Sequence, residues 1–280
     1  ARLRNAPTLL NAALQPAQFV DFRASFLEDQ VALVVRDTLE MHGSLDAAAA
    51  RLRADPATAA RFRTALGTGA GVGTGGSARG ARGDARPTPS DTVPTERHLR
   101  VAMAAYLRTL VALDSRVDRA LRGDTLALSA DERRGFTVFM GKGKCGTCHF
   151  APLFNGTVPP DYRKAESEVL GVPATVAWRG ARVDPDVGRH ATFDAPVWKH
   201  AFKTPTVRNA ALTAPYMHNG VYRTLDEVVE FYDRGGGAGI GIDLPNQTLP
   251  PDPLRLTRAE KRQLVAFMRA LTDTSSVPLR

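Results

Sequence analysis

Cys145-Gly146-Thr147-Cys148-His149 contains both cysteines of a chain of 280 residues. Two thiols at this spacing can add across the two vinyl groups of one haem, and the adjacent imidazole then supplies an axial nitrogen to the iron. Two other uses of a C-x-x-C pair have their own requirements. A redox dithiol calls for a βαβ context, which the surrounding pattern does not provide. A zinc site calls for a second ligand pair, and no cysteine remains to form one. The pentapeptide therefore reads as covalent attachment of haem c through Cys145 and Cys148, with His149 as the proximal ligand.

Composition sets the outer bounds. Apolar residues make up 43% and charged residues 24%, ordinary for a globular protein, and 280 residues suffice for two domains with separate cores. No apolar run reaches the roughly 18 residues of a membrane span. No signal peptide opens the sequence. Haem attachment to such a motif is completed outside the bacterial cytoplasm, so a processed or truncated chain in the periplasm is expected. The net charge is +8, with 37 Lys and Arg. The arginines are spread over many helical segments, without a nucleic-acid motif or an aromatic platform, which points away from nucleic acid. Solvated faces account for most of this charge, and an acidic redox partner or an anionic surface is its best specific use.

Around the motif, the pattern is helical with long loops. Phe26, Leu27, Val31, Val34 and Val35 recur at helical spacing, and Ser44-Leu45-Asp46 starts an Ala-rich helical segment running to Leu66. From Gly67 to Pro94 the chain turns to Gly, Ala, Ser, Thr, Arg and Pro without apolar periodicity, the composition of a mobile surface insertion. Thr95-Glu96 restarts an amphipathic helix expected to run to about Gly123, with Val101, Ala105, Leu107, Val111 and Leu113 on and around its apolar side. Ser129 to Glu132, Thr224 to Glu227 and Thr257 to Glu260 each read as capping boxes. The first opens the helix that delivers the haem motif. The second opens a short helix through Tyr232, closed by Gly235-Gly236-Gly237. The third opens the last helix, with Leu264, Val265, Phe267, Met268 and Leu271 as apolar positions. Residues 150–215, rich in Pro and Gly, read as loops wrapping a cofactor.

Several segments together resemble the bacterial dihaem cytochrome c peroxidase family, including its MauG-type branch. They are Arg4-Asn5-Ala6-Pro7-Thr8-Leu9-Leu10-Asn11, Phe26-Leu27-Glu28-Asp29-Gln30, Glu40-Met41, Phe202-Lys203-Thr204-Pro205-Thr206-Val207-Arg208-Asn209, Leu212 to Gly220, and Thr224 to Tyr232. The resemblance covers nearly the whole chain except the Gly-rich run. It implies an all-α fold of two cytochrome c-like helical domains, here 1–125 and 126–280, each with a haem, and a calcium ion between them. The single C-x-x-C-H matches the second-domain motif. The first domain's haem-attachment segment is expected upstream of Arg4-Asn5-Ala6-Pro7, so that a second haem belongs to a missing segment.

The resemblance also distributes roles. Peroxide would be cleaved at the first haem, with electrons arriving through the haem held by Cys145, Cys148 and His149. Gln30 and Glu40 match the peroxide-site pair, where a carboxylate moves a proton between the peroxide oxygens and an amide positions the oxidant. A solvated helical carboxylate is the plain alternative for Glu40. Asn5, Thr213 and Pro215 match the calcium positions, one side-chain amide oxygen and two backbone carbonyls; a capping Asn and ordinary loop carbonyls are the alternative. For the distal axial position, chemistry alone favours Met217, whereas the family spacing from Pro215 lands on Tyr232, occupied by Met in peroxidases and Tyr in the MauG-type branch. Core packing is the other use of either side chain.

One departure concerns the tryptophan that the family places between its haems. Here the run is Val20-Asp21-Phe22-Arg23, with an aliphatic side chain at that place, so charge sharing between the irons would need direct tunnelling or a substitute such as Phe22. The expected function is a c-type haem oxidoreductase using hydrogen peroxide, tilted by Tyr232 toward oxidation of an organic or protein substrate. A small redox protein or an organic donor would supply electrons, and a homodimer is one assembly open to the chain. A non-enzymatic monohaem electron-transfer cytochrome is the alternative from a different class.

Overall fold

The computed structural model describes residues 4–67 and 93–275. The Gly-rich run expected as an insertion over 67–94 lies outside them except at its ends. In chain order the helices are α1 (Leu27–Arg36), α2 (Leu45–Ala54), α3 (Pro56–Gly67), α4 (Glu96–Thr109), α5 (Arg116–Leu121), α6 (Ala130–Met140), α7 (Leu225–Asp233), the short α8 (Gly236–Gly239) and α9 (Arg258–Ala270). One antiparallel pair, β1 (Ser167–Glu168) with β2 (Phe202–Lys203), is the sheet among the described residues. The all-α class expected from the sequence holds. Among the described residues no helix is long and apolar enough to cross a membrane.

The chain divides into two compact units, one formed by Leu27–Tyr106 and the other by Ala1–Phe26 with Leu107–Arg280. This partition differs from the expected 1–125 and 126–280. The N-terminal segment and residues 107–125 pack with the unit that carries the haem motif. Asn11 shows why: its backbone N–H donates to Leu110 O at 2.8 Å, and its side chain both donates to Ala112 O and accepts from Ala112 N, at 3.0 and 2.8 Å.

The same contacts correct an expectation about α4. The helix starting at Glu96 stops at Thr109 rather than continuing to Gly123. Asn11 holds the backbone at Ala112 out of helical pairing, and Ser115 then caps a separate α5 by a capping box with Asp118. In the 27–106 unit, Leu27, Val31 and Val35 are buried, while Phe26, expected beside them, precedes α1 and is 50% exposed. Arg100 of α4 donates to Glu28 O at 2.9 Å and to Asp29 Oδ1 at 2.5 Å, tying α4 to α1.

The core of the larger unit forms where α6 crosses α9. Phe139, Phe154 and Phe267 meet there, with centroids 5.1 to 5.8 Å apart in tilted or edge-on arrangement. Gly135 makes the crossing close: a Cβ on it would lie 2.0 Å from Gln263 O. The capping boxes at Ser129, Thr224 and Thr257 form as expected, and Leu264, Val265, Phe267, Met268 and Leu271 of and just beyond α9 are all buried. Residues 150–215 are mostly loop, with short turns and isolated bridges.

Candidate haem site

Beyond α6 the chain turns through Gly143, whose N–H donates to Val138 O at 2.7 Å, into a single 3-10 turn at Cys145–Thr147. His149 N closes back on Cys145 O at 2.9 Å. This coil brings Cys145, Cys148 and His149 to the wall of one cavity of about 530 Å³. Gly146 lies against the Met140 side chain, whose Sδ would be 2.6 Å from a Cβ built there. Most of the cavity wall is apolar, with Phe139, Val172, Val228, Val229, Leu264 and Met268 among its residues. That volume and lining suit a flat, largely hydrophobic macrocycle.

His149 is oriented for ligation. Its Nδ1 lies 3.0 Å from Pro205 O. Since a carbonyl only accepts, Nδ1 carries the proton and Nε2 keeps its lone pair, the arrangement that fixes a ligating histidine. Burial pushes the imidazole pKa down to about 4, against the pull of its backbone hydrogen bonds, so the ring is neutral. The thiols behave oppositely to a redox dithiol: burial pushes Cys145 up to about 12 and raises Cys148 as well. No three His, Cys, Asp or Glu side chains among the described residues gather as a metal cluster.

Tyr232, in the last turn of α7, and Met217 both line this cavity. The Tyr232 hydroxyl has no hydrogen-bond partner among the described residues. Burial, and after it the neighbouring thiols and Glu168, pushes its phenol pKa upward. Facing the cavity, this hydroxyl could ligate a metal held there, which would stabilise the phenolate. Met217 holds a left-handed backbone, φ 68°, in the loop after Pro215.

Asn5, Thr213 and Pro215 come together on the same wall. The Asn5 amide donates to Pro215 O at 2.5 Å, and its backbone N–H donates to His218 O at 2.7 Å. Turned about its χ2 bond, the amide would set Oδ1 beside that carbonyl, giving the hard oxygen donors calcium takes. Gln30 and Glu40 belong to the other unit, and neither lines this cavity. Gln30 is buried in α1, with an Oε1 that accepts no hydrogen bond, while Glu40 sits in an exposed turn after α1. Val20 lines the cavity, and the Arg189 guanidinium covers the Phe22 ring at 4.5 Å.

Two further side chains on this wall carry charge or stacking. Lys203 Nζ donates to Gln15 Oε1 at 2.5 Å and to Ala17 O at 2.9 Å, and burial lowers its pKa to about 8 despite Asp21. His218 stacks on Phe202, centroids 3.7 Å apart, with its Nε2 3.3 Å from Asp184. Their signal was membership in the two quoted motifs rather than residue type.

A helical chain that turns Cys-x-x-Cys-His into a buried, mostly apolar cavity, with a fixed imidazole and an unpartnered phenol on its wall, has the make-up of a c-type cytochrome. A family model for di-haem cytochrome c peroxidase matches residues 1–126. Cytochrome-c peroxidase IdrP1 of Denitromonas iodatirespirans is 32% identical over 289 residues, covering 97% of this chain and 69% of its own length. Methylamine utilization protein MauG of Methylorubrum extorquens is 31% identical over 268 residues, covering 96% of this chain and 64% of its own length. Among solved structures, a MauG-like protein associated with microbial copper homeostasis superposes with a TM-score of 0.75 at 25% identity, over 98% of this chain and 76% of that one. This chain belongs to the di-haem cytochrome c peroxidase and MauG family. It spans between 46% and 69% of the length of the curated relatives it matches.

Proposed function

We propose that this chain belongs to a periplasmic c-type haem oxidoreductase that uses hydrogen peroxide as oxidant. The observation that carries the reading is the convergence of Cys145, Cys148, His149 and Tyr232 on one apolar cavity. Cys145 and Cys148 would hold haem c by thioether bonds, His149 Nε2 would ligate one face of the iron, and Tyr232, in preference to Met217, the other. The haem supplies reversible one-electron chemistry at its iron. Everything else is done by the protein: the apolar wall excludes water, Pro205 fixes the imidazole, and an anionic phenolate at Tyr232 favours higher oxidation states.

Asn5, Thr213 and Pro215 would hold calcium with several waters, which makes that ion removable by chelators. At a second haem, Gln30 would position peroxide. Glu40 would take a proton from one peroxide oxygen and deliver it to the other as the O–O bond breaks. A Glu40→Gln variant with full peroxide turnover would remove Glu40 from this role. Electrons come from a small redox protein or an organic donor, and the tyrosine favours oxidation of such a substrate over simple scavenging.

The deciding experiment is haem stoichiometry of the natively purified protein, with its absorption spectrum before and after peroxide. Two haems per protein and a peroxide-dependent change are expected. One haem and no response to peroxide would mark it as a monohaem electron-transfer cytochrome.

A further inference from the structure

The last helix, α9, presents different chemistry on its two sides. Leu264 and Met268 on one side line the haem cavity. Arg258, Arg262, Ala266 and Arg269 follow one another at helical spacing on the opposite side, and the three arginines are exposed. Arg262, Ala266 and Arg269 border a groove there with Arg116 of α5, Glu132 of α6 and Asp226 of α7.

Most charges around this face are answered. Glu260 pairs with Lys142 at 2.8 Å, and Lys261 donates to Glu230 and Asp233 at 2.6 and 2.5 Å. Arg116 donates to both carboxylate oxygens of Glu132, at 2.6 and 2.5 Å. Arg258, Arg262 and Arg269 differ: none has an ion pair among the described residues, and Asp226 pairs with none of them. Fold stability does not explain this stripe. Arg258 and Arg262 stand four apart, where like charges repel, and Arg258 opens the helix, where a cation opposes the macrodipole. Three unanswered cations on one helix face are the charge complement of a carboxylate-rich surface. The net charge of +8 would speed the approach of such a partner.

We infer that the outer face of α9 is the docking surface for an acidic one-electron donor protein, with Arg258, Arg262 and Arg269 receiving its carboxylates. The inference rests on the peroxide-using function proposed above and names the class of its electron donor. A partner seated there is separated from the haem cavity by a single packed helix, about 10 Å across. Two donor molecules each lose one electron, two protons come from solvent, and hydrogen peroxide becomes two waters. Arg116, already neutralised by Glu132, borders the contact without adding to its charge.

The test uses the full-length haem-loaded protein with hydrogen peroxide and three reduced donors. They are plastocyanin, an acidic blue-copper protein; mitochondrial cytochrome c, a basic haem protein; and hydroquinone, a small neutral molecule. Oxidation of plastocyanin is expected to slow about tenfold from low to high ionic strength, and that of cytochrome c not to slow. The triple variant Arg258→Gln, Arg262→Gln, Arg269→Gln is expected to show a similar loss with plastocyanin at low salt. It is expected to melt no lower than the parent and to oxidise hydroquinone at the parent rate. Arg51→Gln, Arg61→Gln, Arg63→Gln removes the same charge from exposed positions of α2 and α3, and is expected to keep most of the plastocyanin rate. Parent-like plastocyanin oxidation by the α9 variant, equal losses in the two variants, or no salt dependence overturns the docking surface. If no donor is oxidised, the proposed function falls; calorimetric binding of plastocyanin to the parent and both variants then decides the surface by itself.

Discussion

Arg208 and Asp118 form a bidentate ion pair at 2.6 and 2.8 Å, with the guanidinium 1% and the carboxylate 7% exposed. The same guanidinium donates through Nε to Pro152 O at 3.0 Å, while Asp118 also accepts from Ser115, so every strong group of the pair is engaged. Burial alone would raise the Asp118 pKa, but Arg208 and Ser115 hold it below the usual carboxylate range. The pair fastens α5 to the segment following the haem motif. Removing one member leaves the other charged and buried. Arg208→Ala is therefore expected to lose roughly 3–5 kcal/mol of stability, read from denaturant unfolding, and Arg208→Met with Asp118→Leu to lose much less. Equal losses in the two variants would contradict this.

Thioether attachment predicts a simple extraction result. After denaturation, acidified organic solvent is expected to leave the pigment on the parent protein, and the Cys145→Ala, Cys148→Ala double variant is expected to retain one covalently held haem fewer. Pigment released equally from both would mean that the haem, if present, is not covalently held.

The two candidates opposite His149 separate by spectroscopy. Tyr232→Phe is expected to change the haem absorption spectrum, because an anionic oxygen ligand is lost, while Met217→Leu is expected to leave it nearly unaltered. The reverse pattern would transfer the ligand to Met217.

A pH-dependent loss of stability is expected from Asp186. Burial raises its pKa, yet Arg4, donating at 2.6 and 2.9 Å, and the Gly188 N–H outweigh burial and bring it from 3.8 to about 2. The folded pKa is the lower one. The stabilisation is therefore complete above the unfolded value and is lost as pH falls from about 4 toward 2. Asp186→Asn is expected to be less stable at neutral pH and to lose less on acidification over that window, as urea midpoints would show. An unchanged slope would assign the acid sensitivity elsewhere.

Local chemistry was legible in the sequence wherever the signal and its partner lay within a few residues. Ser129, Thr224 and Thr257 start their helices as read, because a capping box is complete in four residues. The haem pentapeptide was legible for the same reason. Events set by distant partners were not. The end of α4 depends on Asn11, about a hundred positions away, so periodicity alone carried that helix too far. The carbonyl that orients His149 belongs to Pro205, and a backbone acceptor leaves no mark on residue type. Lys203 stood within a recognised motif, but its partners Gln15 and Ala17 come from the N-terminal segment, which only folding brings to that wall. Tyr232 and Met217 were both identified, and both reach the cavity, because the spacing of a loop and a short helix constrained them together.

The glycine contact between α6 and α9 leaves no slack between the helix that leads into the pentapeptide and the helix nearest the chain's end. Because Leu264 and Met268 of α9 also form part of the pocket wall, any tilt or loosening of that last helix would reach a haem held there from two directions. The colour of a haem bound in that pocket would then serve as a strain gauge for the docking of α9.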